Sequence, residues 1–129
     1  MRRGDVLVNS TGVGTLGRVA QATDDMADTT ADSHVTIVRP NDDVGIEFFG
    51  EALLALESHF ERLGAGATGQ TELNRTRVAE TPLLMPPQPL RLQFGEVVRP
   101  DKALVSVLLK LVSGELDVSQ AETQVAATA

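Results

Sequence analysis

Gly12-Val13-Gly14-Thr15-Leu16-Gly17 is a literal G-x-G-x-x-G, and it follows Asp5-Val6-Leu7-Val8-Asn9-Ser10, which reads as a short β-strand. Two nucleotide chemistries use that spacing. In a dinucleotide-binding fold it brings a pyrophosphate to the backbone at a helix N-terminus, and in protein kinases it covers the ATP phosphates. A dinucleotide site requires a well-packed helix directly after Gly17. Arg18 to Thr30 offers Val19, Ala20 and Met26, interrupted by Thr23, Asp24, Asp25, Asp28 and Thr29, which makes a poor buried face. Its second strand should also end in a ribose-binding acid, whereas here it ends in Arg39-Pro40. A kinase would need a paired lysine and a catalytic-loop Asp that are missing. The simpler role for the glycines is a tight turn needing positive φ. A dinucleotide-binding enzyme fragment using Gly12, Gly14 and Gly17 stands as the alternative reading.

A second chemistry is recognition of a polyanion. In the glycine loop Thr11, Thr15 and the amides of Gly12 and Gly14 can hold a phosphate, with Arg18 adding charge. In a later loop Thr68, Gln70, Asn74, Arg75 and Arg77 gather polar donors. Gln or Asn pairs bidentately with adenine and Arg with guanine in the major groove. The competing roles are turn capping and local backbone hydrogen bonds. His34 and His59 lie far apart, form no metal-ligand spacing, and suit local hydrogen bonding and a helix surface respectively. No Ser-His-Asp order, paired-carboxylate site or P-loop emerges, which favours binding over catalysis.

The elements that must carry these loops follow from pattern. Arg18-Val19-Ala20 resumes extended structure, and Thr23 to Ser33 is an Asp/Thr-rich solvated loop. His34 to Arg39 alternates apolar and polar residues up to Pro40, a second clear strand. Asn41-Asp42-Asp43 supplies capping side chains for one amphipathic helix marked by Ile46, Phe49, Leu53, Leu56, Phe60 and Leu63 and stopped by Gly64. Leu83-Leu84-Met85 reads as a short strand closed by Pro86-Pro87. Pro100-Asp101 opens a final helix with Leu104, Leu108 and Leu111 on one stripe and Gly114 as its stop. The residues from Ser119 are small and polar enough to fray. The pattern is an α+β fold: a small mixed or antiparallel sheet, one long amphipathic helix and a C-terminal helix.

Length and charge bound these readings. The 129 residues suit one domain, and the core must rest on Leu, Val, Ile and Ala, since there are four Phe and no Trp or Tyr. No cysteine means no disulfide and no thiolate metal site. No apolar run approaches the roughly 20 residues that span a bilayer, and the basic start reaches polar residues too soon for a signal peptide. A cytoplasmic location fits. The net charge of −7 is unevenly spread: residues 1–18 carry +2, 19–61 carry −9, 62–102 carry +2 and the rest −2. The basic segments are those flanking the two Gly/Thr-rich loops, a weak electrostatic footprint for nucleic acid.

Five blocks in order resemble the specificity subunit of type I restriction-modification systems. Gly4 to Val19 is similar to the Gly-Asp strand and glycine loop of its target-recognition domains, and Asp32 to Pro40 to the strand that follows. Gly66 to Asn74 resembles their Gly-Ala-Thr-Gly-Gln loop, Pro82 to Pro87 their closing proline segment, and Leu108 to Val118 the family's frequent ending. The resemblance implies a non-catalytic chain that binds double-stranded DNA through Thr11, Gly12, Gly14, Thr15, Arg18, Thr68, Gln70, Asn74, Arg75 and Arg77. It implies a methyltransferase subunit and a restriction subunit as partners, with S-adenosylmethionine, ATP and Mg2+ confined to those partners. Residues 1–99 would be part of a target-recognition domain, 100–118 a shortened conserved helix and 119–129 a frayed tail. The front of a recognition domain is missing before Gly4. The expectation is therefore a truncated or split subunit, with a separate chain carrying the other part, or else a remnant without function.

Overall fold

The computed structural model describes residues 1–65, 71–113 and 118–128. Three short strands come first: β1 (Val6–Asn9), β2 (Val19–Gln21) and β3 (Val35–Val38). They form one antiparallel sheet in the order β2-β1-β3, with Leu7 opposite Ala20 on one side and Ile37 on the other. β1 and β3 occupy the runs rich in β-branched residues, and β2 is the short extended stretch expected after Gly17. Val6 and Val8 turn fully buried side chains to the core, and Leu7 and Asn9 alternate with them.

Five helices follow among the described residues: α1 (Ile46–Leu54), α2 (Glu57–Gly64), α3 (Arg75–Ala79), α4 (Gln88–Ser113) and α5 (Val118–Thr128). The class is α+β. The core joins β1 to the first three helices through Val6, Val8, Leu16, Phe49, Leu53, Phe60, Leu73 and Val78. Burying a Val, Leu or Phe side chain contributes about 1.5–3 kcal/mol each, so this cluster is a substantial part of the driving force.

One buried charge holds the sheet together. Asp5 precedes β1 and is 1% exposed. Its Oδ1 accepts from Arg39 Nε at 2.7 Å, and its Oδ2 from Arg39 Nη2 at 2.7 Å and the Arg2 amide at 2.8 Å. The Arg39 guanidinium, outweighing the cost of burial, holds the Asp5 carboxyl at about 2, below its ordinary 3.8. The Asp5 backbone oxygen takes the Ala22 amide at 2.8 Å, so this residue ties the ends of all three strands.

Several elements differ from the sequence expectation. The stripe from Ile46 to Leu63 is split between α1 and α2 at Ala55-Leu56. At the start of α2, the Glu57 carboxylate accepts the Val19 amide at 2.8 Å, a tertiary contact that no helical periodicity reveals. Gly45, and none of Asn41, Asp42 or Asp43, caps α1, with no side-chain cap bond. Leu83–Met85 forms no strand, since prolines on both sides remove ladder donors. The last long helix starts at Gln88 rather than Pro100, and runs through Pro100 to Ser113. Val118–Thr128 is helical where a frayed tail was expected, and Gly114, the expected stop, lies outside the described residues.

The side chains that seat α4 explain how it survives an internal proline. Phe48 of α1 meets Phe94 edge-on, with ring centroids 6.1 Å apart. The buried Glu47 Oε1 accepts from Arg99 Nε at 2.9 Å and Arg3 Nη2 at 3.3 Å, and Lys102 Nζ lies 2.8 Å from Glu51. Burial pushes the Glu47 carboxyl up, but the Arg99 hydrogen bond and the two guanidinium charges leave it below the ordinary value. The buried Arg91 guanidinium donates to the carbonyls of Val44 and Asp43 at 2.9 Å each, and to that of Pro86. Tertiary contacts thus flank Pro100 on both sides. On its outer side α4 exposes Leu90, Val97 and Leu104 at seven-residue intervals.

The Asp5 site has a testable pH signature. Its folded carboxyl titrates below the unfolded value of 3.8, so its contribution is present above 3.8 and is lost as pH falls toward 2. Thermal melts should hold steady at neutral pH and drop through that window, and Asp5→Asn should flatten the drop. Arg39→Ala should cost about 3 kcal/mol at neutral pH, because it strands a buried carboxylate. A loss below about 1 kcal/mol in chemical denaturation would contradict this role.

Candidate nucleic-acid interface

The glycine motif forms the connection between β1 and β2. Asn9 organises it from below: its side-chain amide donates to the carbonyls of Thr11 at 3.0 Å and Thr15 at 2.9 Å. The Thr15 hydroxyl donates to the Thr11 carbonyl at 3.2 Å, and the Gly12 carbonyl accepts the Leu16 amide at 3.1 Å. Gly12, Gly14 and Gly17 all have positive φ, which glycine adopts at no steric cost. Gly17 is held by packing as well: a Cβ there would lie 2.6 Å from the Glu61 backbone nitrogen and 3.0 Å from the Glu57 carbonyl oxygen. Leu16 sits beside it in the core, against Gly64 of α2. Residues after Gly17 form β2, an extended strand, where a dinucleotide site would require a helix N-terminus. The motif here serves a docked hairpin turn.

The described residues that follow the second predicted loop adjoin the first. Thr11 pairs with Glu72 in an isolated antiparallel bridge, and the Leu73 amide donates to the Ser10 carbonyl at 2.8 Å. Leu73 is buried in the core next to this junction. Two segments some 60 residues apart in sequence therefore meet at the end of β1 opposite Asp5.

The individual candidates divide by how their groups are used. Thr11 and Thr15 spend carbonyl or hydroxyl groups inside the turn, while the amides of Val13 and Gly14 make no hydrogen bond among the described residues. Arg18 is mostly exposed and lies 3.6 Å from Glu57, a screened surface pair. Asn74 caps α3, its side-chain oxygen accepting the Thr76 amide at 2.8 Å. Arg77 donates to the Leu63 carbonyl at 2.9 Å, which fastens α3 to α2. Arg75 is exposed and has no ion-pair partner among the described residues. Thr68 and Gln70 lie outside the described residues. Electrostatically the junction is mixed, since Glu57, Glu61 and Glu72 stand close to these bases.

The local hydrogen bonding expected at His34 is present, but sequence reasoning missed its partner. The Asp32 carboxylate accepts the His34 amide at 2.9 Å and lies 2.7 Å from the His34 ring nitrogen. The His34 amide and ring, with Ser33, hold Asp32 below its ordinary value. The acid two residues earlier is the signal that would have found this exposed pair. His59 packs beside Phe60 at 6.0 Å. An open, mostly apolar cleft of about 670 Å³ lies between β2, α1 and α4, lined by Val19, Leu54, Phe94 and Val98 among others. No group of three or more His, Asp or Glu side chains able to hold a metal occurs among the described residues. No helix among them is long and apolar enough to cross a membrane.

Comparison with protein-family models, with curated proteins and with solved structures finds no match.

The two glycine positions separate packing from turn strain. Gly17→Ala forces a Cβ into the α2 backbone, whereas Gly14→Ala meets nothing within 4 Å and bears only the cost of its positive φ. Gly14→Ala should cost about 1–2 kcal/mol, the usual left-handed penalty. Gly17→Ala should cost clearly more, read as a larger fall in the denaturation midpoint. Equal losses would show that Gly17 is not clamped against α2.

Proposed function

We propose that the chain is a non-catalytic DNA-binding component, the recognition part of a type I restriction-modification specificity subunit. The observation that carries this reading is the junction of the two loops. The segments whose resemblance and donor chemistry suggest DNA contact, around Thr11 to Arg18 and up to Arg75, share one end of the fold. Phosphate groups would meet the Val13 and Gly14 amides and the Arg75 guanidinium, which positions a protein on a duplex. Arg18, Asn74 and Arg77 act instead as parts of the scaffold, through the contacts described above. The mixed charge of the junction and the net charge of −7 make this a weak binder by itself.

Leu90, Val97 and Leu104 support a helical partner for α4, since a seven-residue apolar repeat suits packing along another helix. Methyltransferase chemistry and DNA cleavage would then reside in partner subunits, and this chain would contribute placement.

Binding of a labelled duplex to the full chain should weaken steeply as salt rises. Arg75→Ala should weaken it further and lower the slope of log K against log salt by about one, the signature of a lost phosphate contact. Absence of salt-dependent duplex binding, together with failure to co-purify with a type I methyltransferase subunit, would overturn the proposal.

A further inference from the structure

The open cleft of about 670 Å³ between β2, α1 and α4 is left over by the contacts that hold the fold. Small-molecule sites have volumes of about 300–1,000 Å³, with mostly apolar walls and a few placed polar groups. Leu54 of α1 and Phe94 of α4 line the cleft while 44% and 37% exposed, and Val98 lines it beside them. Single apolar side chains scattered on a surface are ordinary, but these converge on one concavity. Phe94, Val98 and Asp101 fall at i, i+4 and i+7 on α4 and so share one face. Asp101 stands about 10 Å along the helix axis from Phe94.

The charges around the cleft set the kind of molecule that fits. Glu51 and Lys102 both line it and lie 2.8 Å apart, a pair with no net charge. Asp101 lines it too, is exposed, and makes no ion pair among the described residues, so its carboxylate is the uncompensated charge at the cleft. The other two walls, β2 and α1, come from the segment 19–61, which carries −9. We infer that the cleft binds a small amphipathic ammonium ion, its aromatic or aliphatic body against Leu54, Phe94 and Val98 and its charged end at the Asp101 carboxylate. An anionic ligand would bring like charge to Asp101, and an uncharged one would leave it unused. The Glu51–Lys102 pair and the Phe48–Phe94 contact seat α4 against α1 without any ligand, so the walls lose little freedom on binding. The site is separate from the β1–β2 turn and α3, and the inference does not rest on the DNA-binding reading.

Three probes with a common phenylpropyl body test this: phenylpropylamine, phenylpropanol and phenylbutyrate, which end in an ammonium, a hydroxyl and a carboxylate. Each is titrated into the isotope-labelled full chain and followed by amide chemical shifts in NMR spectra. Shifts should gather around Leu54, Phe94 and Val98. The amine should bind about two- to fivefold more tightly than the alcohol, the scale of an exposed ion pair, and the carboxylate most weakly. Added salt should narrow these differences. Asp101→Asn should abolish the preference for the amine and leave the alcohol's affinity unchanged, with an unaltered melting curve because the side chain is exposed and unpaired. Leu54→Gln should weaken all three probes about fourfold, the scale of one methylene group withdrawn from water. Absence of shifts at the cleft with every probe overturns the inference. So does equal binding of the three, tighter binding of phenylbutyrate, or a preference for the amine that survives Asp101→Asn.

Discussion

The paired charges of Asp5 and Arg39 are the constraint on which the rest of the structure depends. A buried carboxylate is expensive unless its charge and lone pairs are met, and here Arg39 and the Arg2 amide meet them. Arg39 closes the end of β3, and the Asp5 carbonyl takes Ala22 just past β2. A slip of one residue in either pairing would carry Val6 and Val8 out of the core and Asp5 away from its guanidinium. Register is therefore set at one end of a four-residue strand. The other end, at Asn9 and Ser10, is where the glycine turn leaves the sheet and meets Glu72 and Leu73, so the anchor and the candidate interface stand at opposite ends of β1.

The second half of the chain is held by different means. Its attachment to α1 and the turn before it is largely polar: Glu47 shared by Arg3 and Arg99, Glu51 with Lys102, and Arg91 against the carbonyls of Asp43 and Val44, with Phe48 and Phe94 as the aromatic contact. Removing one partner of a buried charge costs far more than the intact pair contributes, so such contacts favour a single seating over many near-equal ones. That seating carries α4 across Pro100, where an isolated helix would break or kink at a cost of about 3 kcal/mol.

What could be read from the sequence was whatever repeats at short range. The β-branched runs marked β1 and β3, resumed extended structure after Gly17 marked β2, the Asp/Thr-rich stretch marked the loop before His34, and the class followed. Long-range contacts were not legible. Nothing at Ala55 or Leu56 announces the break between α1 and α2, because the apolar stripe continues through it. Pro100 resembles a helix start, because a proline favours the first turn and the ion pairs that bridge it come from α1. In the interface, the glycine spacing and the polar donors were visible, but their employment was not. Arg18 and Arg77 look alike in sequence with Arg75, yet their contacts with Glu57 and Leu63 set them apart from Arg75, which has no ion-pair partner among the described residues.

The hairpin between β1 and β2 has a consequence for how such a chain can change over generations. Its base is intolerant: Asn9 supplies two internal hydrogen bonds and Gly17 leaves no room for a methyl group. Its tip is permissive at Val13, which already stands in solvent, while Gly12 and Gly14 are kept by their positive φ. Selection acting on such a loop can rewrite that one side chain while stability polices the rest. Variation among descendants would then gather at Val13, much as it does in loops that diversify binding on an unchanging frame.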